Sequence, residues 1–318
     1  MSDEHRLGLL SVVVPCYAEA GNLADLHAAV VHAAEPICDR LELIVVDDGS
    51  PDATFATATA IASEDPRVKV ISFSRNFGKE AAMLAGLKAS TGDAVVVMDG
   101  DLQHPPELLP ALVEAFLEGH DQVVAKRSRR GDPWLRTKLS QLYYRMMNRL
   151  VDVHLDDGVG DFRLLSRRAV DAVVSLGEMV RFSKGLFAWV GFDTAVIEYE
   201  NRGRGAGASA WTIPKLFNYG VDGAISFNSK PLRLGFWLGA FVVAMTAVYL
   251  GWLIVNVLTL GIDVPGYVTL VALVTGLGGV QLIGLGIIGE YIGRMYVEVK
   301  ARPHYIVRDA VGLRRPEE

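Results

Sequence analysis

Along the first half of the chain, short apolar runs end in polar and charged clusters, and the stretches between them have the composition of helices. Leu9 to Val14, Leu41 to Val46, Val68 to Phe73 and Val95 to Met98 are rich in β-branched and aliphatic side chains. Near-continuous apolar runs of this kind suit strands covered on both faces, as in a parallel sheet. Helices are predicted from Asn22 to about Ala34, over Thr54 to Ser63, and from Lys79 toward Gly92, with a fifth strand over Gln122 to Ala125. This alternation predicts an α/β domain with a doubly wound, mostly parallel sheet.

The pattern changes after residue 210. Ile213 to Phe227 mixes Leu216, Phe217, Tyr219, Val221, Ile225 and Phe227 with Lys215, Asn218 and Asp222. It reads as an amphipathic helix, either lying in a membrane interface with Lys215, Lys230 and Arg233 as anchors or packed on the catalytic domain. From Phe236 to Glu290 the only charged residues are Asp263 and Glu290. Phe236 to Leu258 and Tyr267 to Ile288 are each long enough to cross about 30 Å of hydrocarbon as a helix. They form a hairpin joined by Thr259 to Gly266, a loop without Lys or Arg, whereas Lys230, Arg233, Arg294, Lys300 and Arg302 flank the outer ends. By the positive-inside rule both termini and the catalytic domain are cytoplasmic. Pro303 to Val307 reads as a short strand returning to the globular domain, with the last residues unstructured. The expected organisation is a catalytic domain over 1–210, interfacial helices over 211–235, two transmembrane helices over 236–290 and a cytoplasmic tail over 291–318.

Chemistry gathers at the strand ends. The first strand delivers Pro15, Tyr17 and Glu19, the second Asp47 and Asp48, and the fourth Asp99 and Asp101. In a parallel sheet these ends converge on one crevice, the usual ligand site of an open α/β fold. Asp99 and Asp101, with Gln103 and His104 close by, make a seat for Mg²⁺ or Mn²⁺ completed by phosphate oxygens of a substrate. An acidic turn before a helix opened by Pro105 and Pro106 accounts for the same residues. There is no dinucleotide glycine fingerprint and no phosphate loop ending in Gly-Lys-Ser/Thr, which argues against hydride transfer and nucleotide hydrolysis. The net charge of −6 argues against a nucleic-acid partner. Cys16 and Cys38 read as small packed hydrophobes in a reducing compartment.

The segments VVVPCYAEAGNL, LIVVDDGSPDAT, SRNFGKEAAMLAGL, MDGDLQHPPE and GDFRLLSRRAV, in this order, resemble the inverting family 2 glycosyltransferases. More narrowly they resemble the polyprenyl-phosphate glycosyltransferases: dolichyl-phosphate mannose synthase and the bacterial undecaprenyl-phosphate glucosyl- and aminoarabinosyl-transferases. The resemblance runs from about Leu9 to Val307 and implies a GT-A fold with a two-helix membrane anchor. It also implies a multi-pass protein of the bacterial cytoplasmic membrane.

Carried over, Pro15, Tyr17, Glu19, Asp47 and Asp48 would hold the base and ribose of a nucleotide sugar. Tyr17 could equally be a core aromatic and Asp47 a turn residue supporting Asp48. Asp99, Asp101 and Gln103 match the metal-binding segment, and Lys79 adds charge nearby or is a solvated lysine at a helix start. Arg127, in the run Lys126 to Arg130, matches the arginine that approaches the phosphates; the other cations of the run suit a solvated face or anionic headgroups. Asp161, accompanied by Arg163, matches the carboxylate assigned in bacterial members as base or orienting group. The attacking phosphate oxygen is already anionic, so orientation is the expected role. Asp156 and Asp157 read as loop carboxylates. Arg202, Arg204 and Ser209 match a loop that closes over the acceptor phosphate, where guanidinium groups grip oxygens in pairs. The family usually has lysine after that serine, and this chain has Ala210.

The implied reaction moves one sugar from a nucleotide sugar to polyprenyl phosphate, with inversion and with Mg²⁺ or Mn²⁺. UDP-glucose is the first expectation for the donor and GDP-mannose the second. Self-association is compatible with the helices outside the sheet. A processive synthase is disfavoured by the lack of a Gln-x-x-Arg-Trp motif and of further spans. A non-catalytic, membrane-tethered nucleotide-sugar-binding protein is the alternative of another class.

Overall fold

The computed structural model describes residues 6–128, 138, 144, 145, 148, 158–179, 181–199, 230–260 and 266–313. The elements alternate at first: β1 (Leu7–Cys16), α1 (Leu23–Ala34), β2 (Cys38–Asp47), α2 (Thr54–Glu64), β3 (Val68–Phe73), α3 (Lys79–Ala89) and β4 (Ala94–Val97). A 3₁₀ turn at Pro106–Leu108 leads into α4 (Leu109–Leu117), followed by β5 (Gln122–Arg127). Next come β6 (Val159–Ser166), α5 (Arg167–Ser175), α6 (Ser183–Trp189) and β7 (Thr194–Tyr199). The chain ends with two long helices, α7 (Lys230–Leu260) and α8 (Tyr267–Val299), and a last strand, β8 (Val307–Val311).

The eight strands form one sheet in the order β7-β5-β6-β4-β1-β2-β3-β8. The expected parallel set is present, since β4, β1, β2 and β3 are neighbours and all parallel. Two strands run against it. β6 inserts between β4 and β5, antiparallel to both, and β8 caps the far edge antiparallel to β3. Alternation along the strands splits the core between two faces. Val12 and Val14 point to a cluster with Leu26 of α1 and Leu112 of α4, while Val13 points to one with Met83 of α3 and Val170 of α5. Each fully buried aliphatic side chain contributes on the order of 2 kcal/mol. α3 rides directly on β1: a Cβ on Gly86 would lie 2.1 Å from Val13 Cγ1. Any side chain there would push the helix, and with it Lys79, off the sheet.

The C-terminal strand lies at residues 307–311, four positions beyond the expected start at Pro303. The expected segment instead forms its lead-in: Tyr305 stacks on Phe73 at 4.8 Å, and the Ile306 carbonyl accepts the Ser74 amide at 3.0 Å. The two long helices lie against each other. Both exceed the apolar windows that suggest them, because helical hydrogen bonding continues through charged turns, as where Arg294 pairs with Glu290 four residues earlier. Among the described residues one helix segment, Gly276–Val299, is long and apolar enough to cross a membrane; Ala244–Asn256 is a shorter apolar stretch. The expected amphipathic helix at 213–227 lies outside the described residues.

Candidate active site

The sheet order places the carboxyl ends of β4, β1 and β2 side by side. At the end of β1, Pro15 is buried and Tyr17 is half exposed. The turn that follows puts Ala18 in the left-handed region (φ 58°), its amide bonded to Ser50 Oγ at 3.0 Å. The Glu19 amide donates to Thr54 Oγ1 at 2.9 Å, and its carboxylate accepts Asn22 Nδ2 at 2.5 Å. Burial pushes the Glu19 carboxyl above its ordinary value, and the charges of Asp101 and Asp99 add to the shift. These three acids therefore feel one another across the crevice.

The β2 end is built differently. Asp47 is fully buried and accepts the Ser50 amide at 2.9 Å and the Ser72 hydroxyl at 2.7 Å. Asp48 is almost fully buried, and its two oxygens accept the amides of Phe77 at 2.6 Å and Gly78 at 2.9 Å. Asp47 thus fixes the turn after β2, and Asp48 fixes the loop that starts α3. Gly49 is required between them: its φ is +64°, and a Cβ would lie 2.4 Å from the carbonyl carbon of Arg75.

Because Asp48 fixes that loop, the first residue of α3 is aimed at the crevice. Lys79 Nζ lies 2.6 Å from Asp99 Oδ1 and 2.6 Å from Asp161 Oδ2, bridging the ends of β4 and β6. The sequence places Asp161 more than sixty residues after Asp99; the antiparallel insertion of β6 beside β4 brings them together. Burial alone would raise the Asp161 carboxyl, but the charge of Lys79, then that of Lys184, outweighs it and holds the group well below the usual carboxylate range. Asp101 accepts Gln103 Nε2 at 2.6 Å and the Gln103 amide at 3.1 Å. His104 accepts the Asp99 amide on Nδ1 at 3.2 Å and stacks on Phe162 at 5.0 Å. Burial lowers the tendency of its imidazole to take up a proton, which suits the acceptor role at Nδ1.

Arg163 is buried under β6, donating to the Gly160 carbonyl at 2.9 Å with its guanidinium 3.9 Å from the Phe187 ring centroid. It braces the strand that carries Asp161 against α6. Arg127 closes β5, and its side chain lies outside the described residues. Arg202, Arg204, Ser209 and Ala210 lie outside them as well, as do Asp156, Asp157, Arg129 and Arg130. Both cysteines are free and buried.

Two groups at the site were not singled out from the sequence. Glu80 accepts the Ser183 amide at 3.1 Å and also the Ser183 hydroxyl, tying α3 to the start of α6. Lys184 sits in that same short helix and acts on Asp161. The adjacency of Glu80 to Lys79 was visible, but nothing in the sequence says that residues 183 and 184 return to this point.

Among the described residues no three His, Cys, Asp or Glu side chains form a closed metal cage. Asp99, Asp101 and Gln103 instead offer hard oxygen donors on a partly exposed turn after β4, near the further carboxylates of Glu19 and Asp161. That donor set fits a divalent cation which takes its remaining oxygens from a bound phosphate.

Comparison with known proteins places the chain in a family. Residues 230–295 match the GtrB C-terminal hairpin. A Bacillus subtilis protein, CsbB, is 51% identical, with 96% of this chain and 93% of that protein covered. The SfII prophage-derived bactoprenol glucosyl transferase of Shigella flexneri is 42% identical, over 94% of this chain and 97% of that one. A prophage bactoprenol glucosyl transferase homolog of Escherichia coli is 39% identical, over 94% and 98%. Residues 11–174, from β1 through the strand that carries Asp161 and on into α5, match Glycosyl transferase family 2, so the chain belongs to that family and is a glycosyltransferase.

Proposed function

We propose that this enzyme transfers a single sugar from a nucleotide sugar to polyprenyl phosphate at a membrane surface, with UDP-glucose as the first donor to test and GDP-mannose as the second. The observation that carries the proposal is the Asp99–Lys79–Asp161 bridge, set beside Asp101 and joined in one chain to the GtrB-type hairpin. The named bactoprenol glucosyl transferases support the acceptor class.

The residues divide the work. Tyr17 and Glu19 face the base and ribose, on loops held by Asp47 and Asp48. Asp99 and Asp101, with Gln103, would hold Mg²⁺ or Mn²⁺ when the donor is bound. The cation supplies Lewis-acid stabilisation of charge on the departing nucleoside diphosphate. Lys79 keeps Asp99 and Asp161 apart in charge and fixes both carboxylates. Asp161, held ionised, orients the acceptor phosphate. Deprotonation is not needed, since that nucleophile already carries negative charge. In-line displacement inverts the anomeric carbon, so an α-linked donor gives a β-linked lipid product. Arg127, Arg202, Arg204 and Ser209 serve the phosphates of donor and acceptor.

The long helices fit a membrane seat. Trp237, Phe241, Val248, Leu258, Leu270, Val274, Leu282 and Leu285 are each more than 60% exposed. A continuous apolar surface of this extent needs hydrocarbon to cover it. Both helices then span the bilayer as a hairpin, with the catalytic domain and both termini on the cytoplasmic side.

The test incubates the purified full chain with undecaprenyl phosphate, a panel of nucleotide sugars and Mg²⁺ or Mn²⁺, and identifies the lipid product by mass. Asp101→Ala is expected to lower transfer by about a thousandfold, the scale of losing a main electrostatic stabiliser, with an unchanged melting temperature. Metal-dependent transfer persisting at wild-type rate in that variant would overturn the assignment of the site.

A further inference from the structure

Glu80, the neighbour of Lys79 in the first turn of α3, lines a second cleft of about 470 Å³. Its walls come from the loop after β3, the segment before α6, the end of α8 and the lead-in to β8. Arg75, Arg181, Lys300 and Arg302 line it together with His304. Among the described residues none of these four cations forms an ion pair with a carboxylate.

Three of them are held by other means. Arg181 donates to the Leu176 carbonyl at 2.8 Å and the Val173 carbonyl at 3.2 Å, so the end of α5 grips it, and its buried Nε has no partner. Lys300 Nζ sits 4.0 Å above the Tyr296 ring, and the Arg75 guanidinium 4.2 Å from that of Phe77. Three acids lie near. Glu298 accepts the Met179 amide at 2.9 Å, Glu178 feels the charge of Arg181, and Glu80 is engaged by Ser183. Burial pushes the Glu80 carboxyl up to about 7, so at neutral pH it carries only part of a charge to set against the cations. The cleft therefore holds fixed positive charge in excess.

Its position limits the ligand. Lys300 and Arg302 follow directly on Gly276–Val299, the segment apolar enough to cross a membrane. On the membrane-seated reading above, which this inference rests on, the cleft lies where α8 leaves the bilayer and meets the catalytic domain, on the side of the cytoplasmic headgroups. Guanidinium and ammonium groups without carboxylate ion pairs in that place suit a phosphate ester. We propose that this cleft is a phosphate site distinct from the Asp99–Lys79–Asp161 bridge, and that it takes the headgroup of an anionic phospholipid.

The experiment exposes the full chain in neutral detergent to phosphatidylglycerol or phosphatidylcholine and reads retained lipid by native mass spectrometry. The wild type should retain phosphatidylglycerol preferentially. The double variant Lys300→Gln, Arg302→Gln should weaken that retention by about thirtyfold, the combined effect of two basic side chains near an anionic surface, with an unchanged melting temperature. sn-Glycerol 3-phosphate separates the sources. If it binds the wild type alone, and phosphatidylglycerol is not preferred, the phosphate site stands with a soluble ligand. Equal retention by both proteins, with no glycerol phosphate bound by either, overturns the site. Sugar transfer to undecaprenyl phosphate in phosphatidylcholine vesicles keeps the two readings apart. Transfer without a lipid preference removes only this inference, and a lipid preference without transfer removes only the reading of the active site.

Discussion

The acids at the end of β2 and those at the ends of β4 and β6 look alike in sequence and differ in what they touch. Asp47 and Asp48 are buried, and among the described residues the hydrogen bonds they accept all come from neutral donors, three amides and a hydroxyl. Asp99 and Asp161 keep 28% and 16% of their side chains open to solvent, and both rest on one ammonium group. The first pair satisfies the backbone of two loops, a role that neutral donors fill without leaving charge to spare. The second keeps a cation and partly open oxygens in a groove, where a substrate can still reach them. A carboxylate at a strand end is therefore best judged by its partners.

Replacing the shared ammonium tests the second half of that contrast. Lys79→Met keeps the length of the side chain and leaves Asp99 and Asp161 without the cation they share. Transfer should fall about a hundredfold in kcat/KM, within the range of losing one preorganised electrostatic contact, and Lys79→Arg should recover part of it. Steady-state rates with the best donor of the panel decide this. Wild-type rates for the methionine variant would reduce the bridge to a surface pair.

Asp47→Ala tests the other half. It leaves the part-buried Ser50 amide without its acceptor and removes the acceptor of the buried Ser72 hydroxyl, at a cost of about 2 kcal/mol. The expected result is a lower melting temperature with turnover per folded molecule far less changed than in Lys79→Met. The reverse outcome, a stable protein with no activity, would move Asp47 from architecture to chemistry.

Much of this was legible in the chain. Apolar runs such as Val95 to Met98 can be buried on both faces only within a sheet, so strand ends and their acids follow from pattern alone. β6 was not legible as a strand. Its Gly160, Asp161 and Arg163 interrupt any apolar run, and what holds it is pairing with β4 and β5, a property of neighbours distant in sequence. Lys184 was hidden for the same reason, on a helix of seven residues whose start is fixed by the bond from Ser183 to Glu80. The last strand was misplaced by four residues because Pro303 marks where a helix ends, while the register against β3 decides where pairing starts.

Glu80 offers the finest test, because it stands beside Lys79 in sequence yet belongs with the buried acids. Burial is the main cause that lifts its carboxyl from an ordinary 4.5 to about 7; the hydrogen bond from the Ser183 hydroxyl opposes this, and the charge of Asp161 adds to it. The folded protein thus holds this proton more tightly than the unfolded chain. Between about pH 4.5 and 7 the folded state binds more protons, so stability must fall as pH rises. The contribution is complete below the unfolded value and is lost once pH passes the folded one. Glu80→Gln keeps the size of the side chain and an oxygen for Ser183 but cannot ionise. Its melting temperature should therefore lose this slope, and the difference between the two proteins should grow by at most about 1.4 kcal/mol per pH unit across that window. Melting curves of both proteins from pH 4.5 to 8 measure it. Parallel curves would mean that Glu80 is ionised throughout, and its charge would then have to be counted against the cations of the second cleft.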